Sequence, residues 1–281
     1  MGTSSSYGGP TGTNPLLPDW AQPDAPDESS PQDGEGTPES EQDSENTSPQ
    51  PDAQPQVNFR GAKSSMTQWV NGGGGGGRSG VGRVGRNYVR ARGGSGGSAT
   101  AARSGRTSTA RLGSFLSTVA RDGLAAAARE AGLGDLTGRP AAEVFAAIAN
   151  RLTPSGSTLE EAAARRAVDE ALQSLYVQYD LANQDISALE QMDADTVRGA
   201  IKESVSEYIY QRWLQELGDR LEENAVSAQE AVRLEREVRE YVSQTVQLDL
   251  QDVDVLNTDW AGQQGSGVVE RIYQEAYGFL E

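Results

Sequence analysis

Residues 194–218 read ADTVRGAIKESVSEYIYQRWLQELG. Val197, Ile201, Val205, Tyr208, Ile209, Trp213 and Leu217 recur at steps of three and four, which gathers them on one face of an α-helix. The spacing predicts a helix from about Ala194 to Gly218, buried along that face, with Trp213 in the middle of the stripe. The sequence on either side repeats the pattern. Towards the C-terminus, Ser227-Ala-Gln-Glu230 is a helix start followed by Ala231, Leu234, Val238, Tyr241 and Val246. After a polar break at 257–266, Ile272, Tyr273, Ala276 and Phe279 mark a last helix over 268–280. Towards the N-terminus, Ser157-Thr-Leu-Glu160 reads as a capping box ahead of Leu159, Ala163, Val168, Leu172, Leu175 and Tyr179. Pro140 suits the first turn of a helix carrying Val144, Phe145, Ile148 and Leu152. Leu112, Phe115, Leu116, Val119 and Leu124 mark the first helix of the series, broken or softened at Gly123. The expected class is therefore all-α, a bundle of about six helices over 111–281 behind a long disordered N-terminal region. Val246–Leu256 (VQLDLQDVDVL) alternates as a strand does. With no partner strand in view, it reads as a fraying helix end.

Charge divides the chain into three blocks. Residues 1–56 hold 11 acids and no base, residues 57–112 hold 10 bases and no acid, and residues 113–281 hold 14 bases and 30 acids, giving the net −17. Blocks of like charge repel, stay solvated and seek opposite charge elsewhere. Within the first block, residues 21–56 are rich in Asp, Glu, Pro, Ser and Gln and contain no aromatic side chain. Such chain buries too little apolar surface to offset its ordering entropy, so a disordered acidic tether is expected.

The tip of that tether differs in composition. MGTSSSYGGPTGTNPLLPDW (1–20) carries Tyr7, Leu16, Leu17 and Trp20 among Pro10, Pro15 and Pro18. Gly and Pro at this density make an extended, turn-prone peptide rather than a helix. A solvated tail has no need of Trp, Tyr and Leu-Leu at its far end. We read residues 1–20 as a docking peptide, with folding back onto the protein's own core as the plainer alternative. Removal of Met1 would leave Gly2 with an unhindered α-amine, partly neutral at pH 7. Thr3 and Ser4 are small enough to enter a narrow channel whose mouth Tyr7, Leu16, Leu17 and Trp20 would hold.

In the second block, residues 57–70 (VNFRGAKSSMTQWV) form a short amphipathic stretch of undecided type. Six glycines follow Asn71, and then a Gly/Arg-rich segment to about residue 110, expected to be flexible. Arg78, Arg83, Arg86, Tyr88, Arg90 and Arg92 are its candidate nucleic-acid contacts, through phosphate pairing and base stacking. Pairing of these cations with the acidic blocks of the same chain is an equally good reading. Two motif matches here lack context. Residues 72–79 resemble a P-loop with Arg78 in place of lysine, and residues 80–85 (GVGRVG) resemble a dinucleotide fingerprint. Each motif needs a buried strand before it, and glycines stand there instead.

The chain has no Cys and no His. Cys or His nucleophiles, His general bases, the usual zinc ligand sets and disulfides are excluded. Asp249, Asp252, Asp254 and Asp259 lie close in sequence, but lack the Gly and Glu of a calcium loop. No constellation supports catalysis, no cofactor or metal is called for, no segment is long and apolar enough to span a bilayer, and a cytoplasmic location fits.

Three further stretches bear on family. The Met-Gly-Thr-Ser start with Ser-Tyr-Gly-Gly-Pro at 6–10 and Pro-Leu-Leu-Pro-Asp-Trp at 15–20, the run ARSGRTSTARLGSFLSTVARDGL at 102–124, and Gly-Arg-Pro-Ala-Ala-Glu-Val at 138–144 resemble the QatB family, the B component of the bacterial Qat anti-phage defence system. The resemblance covers the start and the first helices; the acidic tether is a departure in length. It implies a non-enzymatic adaptor or substrate protein acting beside a 7-cyano-7-deazaguanine synthase-like enzyme, a P-loop ATPase and a TatD-like DNase. It also implies that residues 1–20 enter the synthase-like partner, with Gly2 the expected position of any modification.

Overall fold

The computed structural model describes residues 57–72, 78–136, 138–225 and 227–281, the side chains of Arg78 and Ser79 excepted. The expected docking peptide at 1–20 and tether at 21–56 lie outside the described residues. No strand occurs among the described residues. The helices are α1 (Arg60–Val70), α2 (Arg78–Ala91), α3 (Gly94–Ala101), α4 (Arg103–Asp122), α5 (Leu124–Glu130), α6 (Ala141–Leu152), α7 (Leu159–Gln178), α8 (Ala194–Asn224), α9 (Ala228–Thr245) and α10 (Gln263–Gly278). A 3-10 turn at Ile186–Gln191 leads into α8.

Helix α8 is the axis of the bundle. Asp193 caps it by accepting the Thr196 amide at 2.8 Å. It packs on α1, α4, α7, α9 and α10. For that reason residues 204–210 are buried all round, Ser204, Ser206 and Glu207 included, and not on one stripe only. The helix also runs six residues past Gly218, because Leu221 reaches the core. The series from residue 111 keeps the expected order. Its first member is two helices, α4 and α5, which break at Gly123 where φ is +87°. The capping box on α7 is Thr158 with Glu161, one residue later than expected. That register leaves Leu159 exposed and frees Glu160 for another task. The Glu160 carboxylate accepts the Ser104 amide at 2.6 Å and the Tyr208 hydroxyl at 3.0 Å, and so caps the start of α4 from outside.

The Gly/Arg-rich segment is corrected by the structure. It is not a flexible linker: α2, α3 and the start of α4 occupy it, and the bundle begins at Arg60. Val81, Val84, Tyr88 and Val89 are fully buried. Each helical glycine costs about 1 kcal/mol relative to Ala, so these helices draw their stability from packing. Several glycines are seats for aromatic rings. A Cβ on Gly105 would lie 2.7 Å from the Tyr208 ring, and one on Gly113 would lie 2.8 Å from the Trp260 indole. The Trp260 indole is held in place, since its N–H donates to Ser117 Oγ at 3.1 Å and to the Val255 carbonyl at 3.0 Å. Gly113→Ala should therefore destabilise the fold by about 1–3 kcal/mol as an overpacked site, outweighing the gain in helix propensity. A denaturation midpoint equal to wild type would show that the indole moves aside freely.

Residues 246–256 are corrected as well. They are neither a fraying helix end nor a strand. Residues 246–250 are irregular and 251–257 run through turns, with Val246, Leu248, Leu250, Val253 and Val255 buried. Its carbonyls are satisfied by local turns, the Val253 amide on Leu250 O and the Val255 amide on Val253 O, and by side chains. Arg198 donates to Leu250 O at 2.9 Å and to Val253 O at 3.3 Å, Ser117 to Val255 O at 2.7 Å, and Arg121 to Leu256 O at 2.8 Å.

Candidate functional site

The six nucleic-acid candidates divide by the faces of α2. Arg78 opens the helix, and Arg83, Arg86 and Arg90 are exposed at steps of three and four. None of those three makes an ion pair with a described residue. Tyr88 faces the opposite way. Its ring is fully buried, stacked on Phe59 at 5.7 Å and on Trp213 at 5.8 Å, so it cannot serve as a base-stacking platform. Arg92 is withdrawn from solvent too. Its side chain is 6% exposed, lies over the Tyr88 ring and pairs with Glu216 at 3.8 Å. Arg212 takes the same carboxylate at 2.6 Å. Two buried cations thus share one acid, and burial holds the Tyr88 and Tyr277 phenols above their ordinary range, neutral beside them. This is a structural centre.

The partner-binding candidates Gly2, Thr3, Ser4, Tyr7, Pro10, Leu16, Leu17 and Trp20 lie outside the described residues. The aspartates between 249 and 259 tie their own loop. Asp249 accepts the Gln251 amide at 3.0 Å, Asp254 the Asn257 amide at 3.3 Å, and Asp259 the Gly262 amide at 3.1 Å. Among the described residues no cluster of acids is arranged to hold a metal ion. The fingerprint-like run at 80–85 lies inside α2, and the element before it among the described residues is the helix α1.

A concave site that sequence reading did not single out lies between α4, α5, α6 and α10. It is a groove of about 720 Å³. Its floor is apolar, with Ala110, Phe115, Leu152 and Trp260 among the lining side chains. Arg103, Arg106, Arg111 and Arg151 stand on its walls with Glu130 and Glu270. Arg106 pairs with Glu270 at 3.4 Å, Arg151 donates to the Ala131 carbonyl, and Arg111 reaches the Leu152 carbonyl at a long 3.5 Å. Arg103 is exposed at the first turn of α4, where there is no acidic residue and the helix dipole disfavours a cation. The signal was present in sequence as Arg103, Arg106 and Arg111 at steps of three and five. It became visible only once 103–110 was helical.

A second concavity, between α7, α8 and α9, is acidic. Glu170, Glu203 and Glu207 surround Arg239, which pairs with Glu170 at 2.6 Å and Glu207 at 2.9 Å. Burial raises the Glu203 carboxyl above its ordinary range; the Ser174 hydroxyl opposes this, and the neighbouring Glu170 and Glu207 add to it. A carboxyl raised on folding is worse off ionised in the fold than in the unfolded chain. Its penalty therefore appears as pH rises through the raised pKa, and is absent when the group is protonated. Glu203→Gln should raise the melting temperature at pH 7, with the difference closing as pH falls below the carboxylate range. A variant that melts lower at pH 7 would mean that attraction to Arg239 outweighs burial.

A family model described as the Qat anti-phage system associated protein QatB matches residues 93–280, well over half of the chain. The matched span contains the whole Arg/apolar groove and excludes α1 and α2. No curated protein and no solved structure matches the chain.

Proposed function

Since the chain belongs to the QatB family and is thereby a component of an anti-phage defence system, we propose that it works as a non-enzymatic adaptor or substrate protein within that system. Residues 1–20 dock in a 7-cyano-7-deazaguanine synthase-like partner, with Gly2 presented at its active site as the position of modification. The helical domain is the body that carries this peptide, and the P-loop ATPase and TatD-like DNase of the system are the further partners it would meet, in the cytoplasm. The family match carries the reading. The apolar anchors Tyr7, Leu16, Leu17 and Trp20, set at the tip of a chain otherwise poor in buriable residues, support it. No helix among the described residues is long and apolar enough to cross a membrane.

The test is co-purification with the synthase-like neighbour, for the full chain and for a chain lacking residues 1–20, with intact mass recorded for each. Loss of the partner from the shortened chain is expected, together with a mass change in the full chain confined to its first residues. Retention of the partner by the shortened chain would defeat the proposal.

A second reading, an accessory nucleic-acid binder, rests on the exposed Arg83, Arg86 and Arg90 of α2. Its mark would be salt-dependent binding of duplex DNA that Arg83→Glu, Arg86→Glu and Arg90→Glu together remove. Residues 57–281 carry 24 bases and 30 acids, and that net negative charge weighs against this reading.

A further inference from the structure

We propose that the groove between α4, α5, α6 and α10 docks an acidic peptide segment of a partner protein, with its arginines taking carboxylates and its floor taking an apolar side chain. The site is separate from the residues on which the reading of the N-terminal peptide rests. Three observations support it. First, all four cations of the groove are arginines, whose planar fork suits a carboxylate held by two parallel hydrogen bonds. Second, the fold does not use these cations fully. Arg103 has neither an ion pair nor a hydrogen bond to a described residue, and Arg111 has only its long contact to Leu152. Arg103 also stands at the N-terminal end of a helix, where a cation opposes the dipole. The Glu160 carboxylate already takes the Ser104 amide at that end, so what an arriving anion would gain is the charge of Arg103 itself. Third, the partly exposed Ala110 and Ala131 lie over the buried Phe115, Leu152 and Trp260, and the Trp260 indole is fixed by two hydrogen bonds, so a preformed apolar surface lies between the charges.

The same chemistry argues against a nucleic-acid strand. Glu130 and Glu270 stand on the groove walls, and a continuous row of phosphates would meet them. A peptide with carboxylates spaced between apolar residues can place its charges on Arg103 and Arg111 and its side chains on Ala110 and Ala131. The domain is net negative overall and would steer an acidic chain towards its basic faces, this groove and the exposed Arg83, Arg86 and Arg90 of α2.

The experiment is fluorescence anisotropy with the full chain and three fluorescein-labelled probes. These are a twelve-residue peptide repeating Asp-Glu-Leu-Trp, its Asn-Gln-Leu-Trp counterpart, and an oligothymidylate of similar length. Saturable binding of the acidic peptide is expected, weakening with salt, and about tenfold weaker or more for the amide counterpart. Arg103→Glu with Arg111→Glu should weaken the acidic peptide by about tenfold or more at an unchanged melting temperature. Arg103→Gln with Arg111→Gln should show a smaller loss in the same direction, and serves if the charge reversal fails to fold. No binding of the acidic peptide at low salt, equal binding of acidic and amide peptides, or arginine variants that bind like wild type would each overturn the proposal. Tighter arginine-dependent binding of the oligothymidylate would overturn it in favour of a phosphate site. Chains lacking residues 1–20 should bind the acidic peptide undiminished, so this result and that for the N-terminal peptide fail separately.

Discussion

Trp213→Ala should cost about 3–5 kcal/mol of folding stability as a large-to-small core substitution. Trp213 is fully buried at the centre of α8. It stacks on Tyr88 at 5.8 Å and meets Tyr241 edge-on at 6.2 Å, while Tyr88 stacks in turn on Phe59. A Cβ placed on Gly85 would lie 3.4 Å from its ring. The indole therefore joins α1, α2, α8 and α9 in one aromatic run, and its removal opens a cavity that α2 cannot close without moving backbone. One term acts in the opposite direction. The indole N–H has no hydrogen-bond partner among the described residues, and an unpaired buried donor costs about 1–3 kcal/mol. Losing that donor with the ring offsets part of the damage and places the expected value in the lower half of the range. Trp213→Phe separates the two terms. It keeps a ring in the stack and deletes the unpaired N–H, so its cost should stay below about 1.5 kcal/mol. Chemical denaturation with both variants checks this. An unchanged midpoint for Trp213→Ala would show that the side chain contributes no packing.

The sequence pattern was clearest where burial is one-sided. Along α8 the apolar steps of three and four mark a buried face, and that period is a local signal. Burial of Ser206, Glu207 and Tyr210 on the remaining faces was not legible, because it depends on α1, α9 and α10 arriving from elsewhere in the chain. The segment 78–101 misleads for a different reason. Its glycines look like flexibility, yet at Gly82 and Gly85 they make room for Tyr241 and Trp213, residues far away in sequence. Val81, Val84, Tyr88 and Val89 did hold the helical period, and steric partners decided what the glycines between them meant. The alternation at 246–250 was a true record of burial. What sequence does not show is that local turns and the side chains of Arg198, Arg121 and Ser117 satisfy carbonyls of this segment. The groove was hidden similarly, since Arg103 and Arg106 lie in the segment that composition marked as linker and Arg151 comes to it from α6.

At the other end of the chain, deletion of residues 1–20 should abolish binding to the synthase-like partner and eliminate phage protection, while leaving the helical domain folded. The single substitutions should have separable signatures. Leu16, Leu17 and Trp20 supply the apolar area, and a buried aromatic anchor is commonly worth about 2 kcal/mol or more at an interface. With about 1.4 kcal/mol per factor of ten, Trp20→Ala should weaken partner binding by roughly thirtyfold or more. A bulky residue in place of Gly2 acts at a different point. It favours retention of Met1 and keeps the amine from any active site, so protection should be lost while much of the affinity from Leu16 to Trp20 remains. Loss of affinity with protection intact would reverse these assignments. Replacement of residues 21–56 by a neutral linker of equal length should be tolerated if that segment only spans distance; a loss there would give its acids a role in recognition. The helical domain supplies the control for all of these variants. Nothing in residues 57–281 is altered, so melting temperature and helicity should match wild type throughout, and a variant that departs from them reports on folding rather than docking. Partner titration and the protection assay, run together on each chain, decide between these outcomes. Survival of both binding and protection without residues 1–20 would refute the docking role.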